Sequence, residues 1–227
     1  MKTSNIILVA FIGSISIYLL AAMTEVRLVA KQGRSFLEYD DHITDFQNIR
    51  YLKANNVQFN VSFSNESSLN LKIEKSMSVP KLDYHLEGDT LVIDNLERQE
   101  GVEWMLNLTF VSNEFRGIDC VSCHLILDGG STDTLILNLK KSNFLKFSKV
   151  PSHFGMLKLK ATDDSKTNLY FVGIEALDLY LDNSWTDIHA PVNLLTGSLA
   201  ERSKLDIDEV LDFNIKKDAS SMLNHRK

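Results

Sequence analysis

The 227 residues include only two cysteines, three prolines and two tryptophans. Cys120 and Cys123 cannot supply the multi-bridge framework of a small secreted scaffold, so a hydrophobic core must carry the stability. No stretch of the chain after the first 24 residues shows the capped 3.6-residue periodicity of a long helix, which argues against a helical fold. Positive charge is also scarce. Twenty-four Lys and Arg against 30 Asp and Glu give a formal net charge of -6, whereas sequence-independent binding to phosphate backbones needs a basic surplus, so no nucleic acid partner is expected. Walker, Rossmann, G-x-S-x-G and H-E-x-x-H signatures are all missing. These absences give no catalytic residue, cofactor or metal site, and the chain reads as a non-enzyme.

Apolar residues make up 44% of the chain and charged residues 24%, the balance of a folded domain. One segment stands apart. Thr3 to Thr24 carries no charge, and Ile6 to Met23 is almost wholly aliphatic or aromatic, about the length of helix that crosses a bilayer core. It exceeds the apolar region of a cleaved signal, and Leu20-Ala21-Ala22 fits a cleavage site poorly. The expected layout is an N-terminal membrane anchor over 1–24, a juxtamembrane connector over 25–42, one β-rich domain over 43–220 and a polar tail over 221–227. Lys2 and the amino terminus face Arg27, Lys31 and Arg34 across the span, so the charge rule favours a domain inside. Long domains translocate largely regardless of that rule. The expected protein is single-pass, with its domain extracytoplasmic, in the periplasm or at the cell surface.

Within the domain, Val57 to Phe63 and Leu69 to Ile73 place apolar residues at every second position, the signature of half-buried strands. Gly88-Asp89 forms a turn before the apolar run Leu91-Val92-Ile93, and Trp104 to Phe110 alternates again, as hairpin strands do. The second half repeats. Leu137-Asn138-Leu139, Leu157-Lys158-Leu159 and Leu177-Asp178-Leu179 stand 20 residues apart, with weaker echoes at Val192-Asn193-Leu194 and Leu211-Asp212-Phe213. A polar, turn-forming stretch follows each L-x-L core. Such a unit cannot bury its apolar face alone, whereas stacked units share one interior, so the repeat predicts coils of about 20 residues. The expected fold class is all-β, a right-handed β-solenoid or β-helix-like domain after one N-terminal transmembrane helix. An antiparallel sandwich is the alternative.

Three strings, in this order, carry a family resemblance: Ile43-Thr44-Asp45-Phe46-Gln47-Asn48-Ile49, Val57-Gln58-Phe59-Asn60-Val61 and Leu86-Glu87-Gly88-Asp89-Thr90-Leu91-Val92-Ile93. Together with the repeat, they make residues 43–220 similar to the bacterial family of the auto-transporter adhesin, head GIN domain, many of whose members come from Bacteroidetes. The resemblance implies an exported β-solenoid that adheres to or binds something at the cell envelope. The chain departs from that family in lacking its repeated Ser-Gly pairs; only Gly197-Ser198 comes close, in reversed order.

Cys120-Val121-Ser122-Cys123-His124 matches the C-x-x-C-H site of haem attachment, but strand alternation would send the two thiols to opposite faces. A disulfide or a pair of free thiols remains. The six histidines lie far apart in sequence, and Asp163-Asp164 and Asp206-Ile207-Asp208 read as solvated turn carboxylates, since neither has calcium-loop spacing. Sequons stand at Asn60, Asn65 and Asn107. Tyr170, Phe171, Tyr180 and Trp185 fall where successive coils could align their rings, although most such rings are expected in the core. Trp185, among polar neighbours in Asp182 to Asp187, is the foremost ligand-binding candidate, with Tyr180 beside it. The expected function is a non-catalytic, membrane-tethered, adhesin-like module that binds a glycan or cell-envelope protein. A β-helix polysaccharide-cleaving enzyme or a structural envelope scaffold is the alternative.

Overall fold

The computed structural model describes residues 15, 18–20, 22–24, 39–74, 82–96, 104–146, 150–170 and 172–225. Met1–Tyr39 and Asp40–Lys227 form separate compact units. In the first, the described residues between 15 and 24 are helical. Among the described residues, no helix is long and apolar enough to cross a membrane. Most of the span expected from Thr3 to Thr24, and most of the connector, lies outside the described residues.

The second unit is a β-solenoid of about five turns. Its strands begin with β1 (Tyr39–Phe46), β2 (Tyr51–Asn55), β3 (Gln58–Ser64), β4 (Ser67–Glu74), β5 (Leu82–Glu87), β6 (Thr90–Leu96) and β7 (Trp104–Val111). There follow β8 (Gly117–Val121), β9 (His124–Leu127), β10 (Gly130–Lys140), β11 (Asn143–Lys146), β12 (Ser152–Thr162) and β13 (Lys166–Tyr170). The last are β14 (Val172–Asp182), β15 (Trp185–Ala200), β16 (Lys204–Lys217) and β17 (Met222–His225), which falls where the sequence reads as a polar tail.

Parallel pairing stacks these strands into three faces. On the first, Leu52 pairs with Leu91 and Ile118, and Ile118, Leu137, Leu159 and Leu179 continue the column. On the second, Phe59, Leu125 and Phe144 align in successive coils, and the ladder runs on through β13, β15, β16 and β17. The third stacks Thr132, Phe154, Ile174, Val192 and Val210. Every second side chain points inward, so Leu, Ile, Val and Phe from all three faces fill one core that is closed to solvent. Replacing a buried leucine of this kind by alanine typically costs about 2–5 kcal/mol. At the N-terminal end the pattern changes: β4 pairs antiparallel with β7, and β5 forms with β6 the hairpin expected around Gly88-Asp89.

Repeat and solenoid are both present, but the register differs from the sequence reading. Leu135, Leu157, Leu177 and Leu195 stand side by side, in steps of 22, 20 and 18 residues. Leu137 therefore faces Leu159 and not Leu157. Each coil offers inward residues at several consecutive odd positions, so a shift of two keeps the hydrophobic face intact, and hydrogen bonding decides between the two registers. The weaker echoes are corrected too. Val192 and Leu195 are buried while Leu194 is exposed, and Leu211 and Phe213 of the last coil are both exposed.

Coil length varies at two corners: five residues separate β11 from β12 but one separates β13 from β14, and the corner between the first and second faces varies by one. Between the first and second faces, Asn56, Ser122, Lys141, Asp163 with Asp164, Asn183, and Glu201 with Arg202 all adopt positive φ. Using two such residues instead of one lengthens the turn without disturbing the strands. Immediately after the left-handed step stand Val57, Cys123, Ser142, Ser165, Ser184 and Ser203. The serines form a buried ladder: Cys123 N donates to Ser142 Oγ at 3.0 Å, Ser142 N to Ser165 Oγ at 3.1 Å, and Ser184 N to Ser203 Oγ at 3.3 Å. These three backbone donors are satisfied by the next coil, while Ser165 N and Ser203 N donate within their own turns, to Thr162 O and Ala200 O, as buried polar groups require.

Candidate functional site

The same corner sets up the outward side of the second face. Asn183 takes the left-handed step and Ser184 turns inward, donating to Asp182 O at 2.9 Å. Trp185 is then the first outward residue of β15. The residue is 41% exposed, yet its ring is held at two points. Nε1 donates to Asp206 Oδ2 at 3.2 Å, and Lys204 Nζ sits 5.0 Å from the ring centroid, a cation–π contact worth about 0.5–1 kcal/mol at an exposed site.

Asp206 corrects an expectation. Far from a solvated turn, it lies in β16 and is 1% exposed. Burial alone would raise its pKa, but Lys204 Nζ at 2.6 Å, Asn224 Nδ2 at 2.6 Å and the indole N–H hold the carboxyl below its usual range. The three donors come from three successive coils, so the cluster exists only when the solenoid is wound. A buried carboxylate is tolerated because each oxygen has a partner.

Beside it, His189 lies between two more aspartates. Nε2 is 3.1 Å from Asp187 Oδ2 and Nδ1 is 2.8 Å from Asp208 Oδ2. Tyr170 of the preceding coil stacks on the imidazole, with ring centroids 4.4 Å apart and planes 16° from parallel. Burial disfavours the imidazolium, yet the two carboxylates outweigh it and raise the His189 pKa above its ordinary value. Because the folded-state pKa exceeds the unfolded one, this interaction stabilises the fold fully below about pH 6.5 and is lost as pH rises through the folded pKa. We expect NMR titration to give a His189 midpoint above 6.5, lowered by D208N, and the stability gap between wild type and H189Q to shrink as pH increases.

The remaining sequence candidates are dispersed. Tyr180 lies on the first face, with Lys160 Nζ 5.9 Å from its ring, so Tyr180 and Trp185 occupy opposite sides of a corner and form no common row. Phe171 lies outside the described residues. Cys120 and Cys123 are both in the core, 0% and 3% exposed. Alternation does not send them apart, because the left-handed residue Ser122 re-aims the chain between them. A hydrogen bond between the two thiols, with burial, pushes Cys120 well above the usual thiol range, and the same bond lowers Cys123. Enclosed in the core, they offer no surface to a haem edge. Among the described residues, no group of three or more His, Cys, Asp or Glu is arranged to hold a metal ion. Asp187, Asp206 and Asp208 are engaged by His189, Trp185, Lys204 and Asn224, an arrangement that fixes side chains and leaves an exposed indole.

Sequence reasoning missed that two of the sequon asparagines meet. Asn60 and Asn107 point outward on neighbouring strands of the second face, where Asn60 Nδ2 donates to Asn107 Oδ1 at 3.0 Å. The paired N-x-S and N-x-T strings were the available signal.

No family model matches the chain, and no curated protein matches it. Solved structures do. One, described as a "putative adhesin" from Bacteroides fragilis, superposes with a TM-score of 0.57 at 10% identity, over 83% of this chain and 97% of that one. Another, described in the same words and from Parabacteroides distasonis, gives a TM-score of 0.51 at 9% identity, over 84% and 97%. At such identities the likeness is one of fold, and the chain shares the β-solenoid architecture of these Bacteroidetes proteins.

Proposed function

We propose that this chain is a non-catalytic binding module of the cell envelope, tethered to a membrane by residues 1–24 and displaying its solenoid on the extracytoplasmic side. Trp185 carries the reading. A half-exposed indole, fixed beforehand by Asp206 and Lys204, presents a large amphipathic surface with little entropy left to lose on binding. Rigid aromatics of this kind anchor partners and stack on sugar rings. The description of the B. fragilis structure as an adhesin supports a binding role. The internal pairing of the neighbouring carboxylates gives no support to polysaccharide cleavage, which needs two carboxyl groups poised across a bond.

The uncharged run from Thr3 to Thr24 supports the tether, being of bilayer-spanning length. Protease treatment of intact cells, repeated after permeabilising any outer membrane, tests the placement. The domain should be digested in one of those two states while cytoplasmic markers survive. A solenoid protected until the cytoplasm is opened would sink the adhesion reading.

A further inference from the structure

Away from Trp185, the N-terminal end of the second face forms a trough of about 640 Å³. Its floor is built by register. Asn60, Asn107 and Asn70 lie abreast on β3, β7 and β4, and Ser62, Thr109 and Ser68 lie abreast one outward step along. Three amides and three hydroxyls thus form two rows across strands spaced about 4.8 Å apart. They are only partly used among themselves. Asn60 Nδ2 donates to Asn107 Oδ1 at 3.0 Å, and the Ser62 and Thr109 hydroxyls share one bond at 3.1 Å. That leaves the Asn60 carbonyl oxygen and an Asn107 N–H for a ligand. Oδ1 of Asn70 is buried and has no hydrogen-bond partner among the described residues, a state that calls for a bound group or water. Ile43, Met105, Ile126 and Leu145 complete the trough. Its charges do not attract anions: Lys72 is paired with Asp41 at 3.5 Å, and the other ionised group is Asp128.

From this geometry we infer a second binding site, whose ligand is an uncharged oligosaccharide. Side-chain amides and hydroxyls offer donors and acceptors together, which is what a sugar hydroxyl needs, since it gives one hydrogen bond and accepts others. The apolar side chains suit the C–H faces of the ring, while the lack of an unpaired cation disfavours uronic acids and phosphates. The site extends the binding role proposed for Trp185, but none of its residues belongs to the Trp185 cluster.

Titration calorimetry tests it on the full-length chain in a non-glycosidic detergent, with cellohexaose and mannohexaose as neutral probes and hexagalacturonate as the acidic one. At least one neutral probe should bind about tenfold or more tightly than the acidic probe. N70A, and separately S62A/T109A, should each weaken that binding about fivefold, the loss of roughly one hydrogen bond, with unchanged circular dichroism and Tm, while Y180A, on the first face, leaves it intact. Absence of neutral-probe binding, equal binding of hexagalacturonate, or indifference to both trough variants would overturn the site. Neutral-probe binding lost in W185A but kept in N70A would overturn the trough and leave the Trp185 reading standing.

Discussion

Replacing Gly197 by alanine should destabilise the solenoid by on the order of 3 kcal/mol or more. Gly197 lies on the first face between Leu179 and Ile215 of the adjacent coils, with φ +135°. An L residue is strained at that φ. The Cβ would also stand 1.8 Å from the Leu179 carbonyl oxygen, a backbone atom held by the parallel ladder that cannot step aside as a side chain could. The coil would have to separate from its neighbour along this face. Denaturant unfolding measures the effect, with S198A as the control, expected within about 0.5 kcal/mol of wild type. A G197A protein as stable as that control would refute the packing described for this coil.

The second large effect concerns binding. W185A should weaken association with the glycan or envelope partner that docks on Trp185 by at least about tenfold, because a pre-ordered aromatic anchor is removed. W185F should fall between the two, keeping a ring but losing the N–H that meets Asp206. Y180A, on the other side of the corner, should change affinity less than about twofold. The fold should survive W185A, because Asp206 keeps Lys204 and Asn224; a stability loss of about 1 kcal/mol is expected, that of one hydrogen bond. Equal losses for W185A and Y180A would contradict the assignment of the site to the second face.

How far the sequence revealed this molecule depends on the range of the interactions involved. Val57 to Phe63 and Leu69 to Ile73 announce strands because period two is written locally, and β3 and β4 lie there. The L-x-L cores announce stacked coils for the same reason. Their register was not legible, because Leu135, Leu137 and Leu139 form an inward run that tolerates a shift of two, and the choice is made in the turns, where five residues separate β11 from β12 but one separates β13 from β14, and the first corner takes one left-handed residue or two. Lys141 and Glu201 carry no sequence mark of that conformation, which Gly or Asn would have advertised. Trp185 stood out because its immediate neighbours are polar. Burial of Asp206 could not be foreseen, since its donors Trp185, Lys204 and Asn224 belong to three coils. The amide row is similar: Asn60 and Asn107 are 47 positions apart and meet only through strand pairing.

The central claim, binding without turnover, is tested most directly by one measurement on the full-length chain. It is incubated with immobilised glycans and cell-envelope fractions, and retained protein and released fragments are quantified together. The account predicts retention on at least one of these supports that W185A weakens about tenfold, with no fragment released above the level of buffer alone. Released oligosaccharide that disappears in D187N or D206N would contradict it and make the solenoid an enzyme.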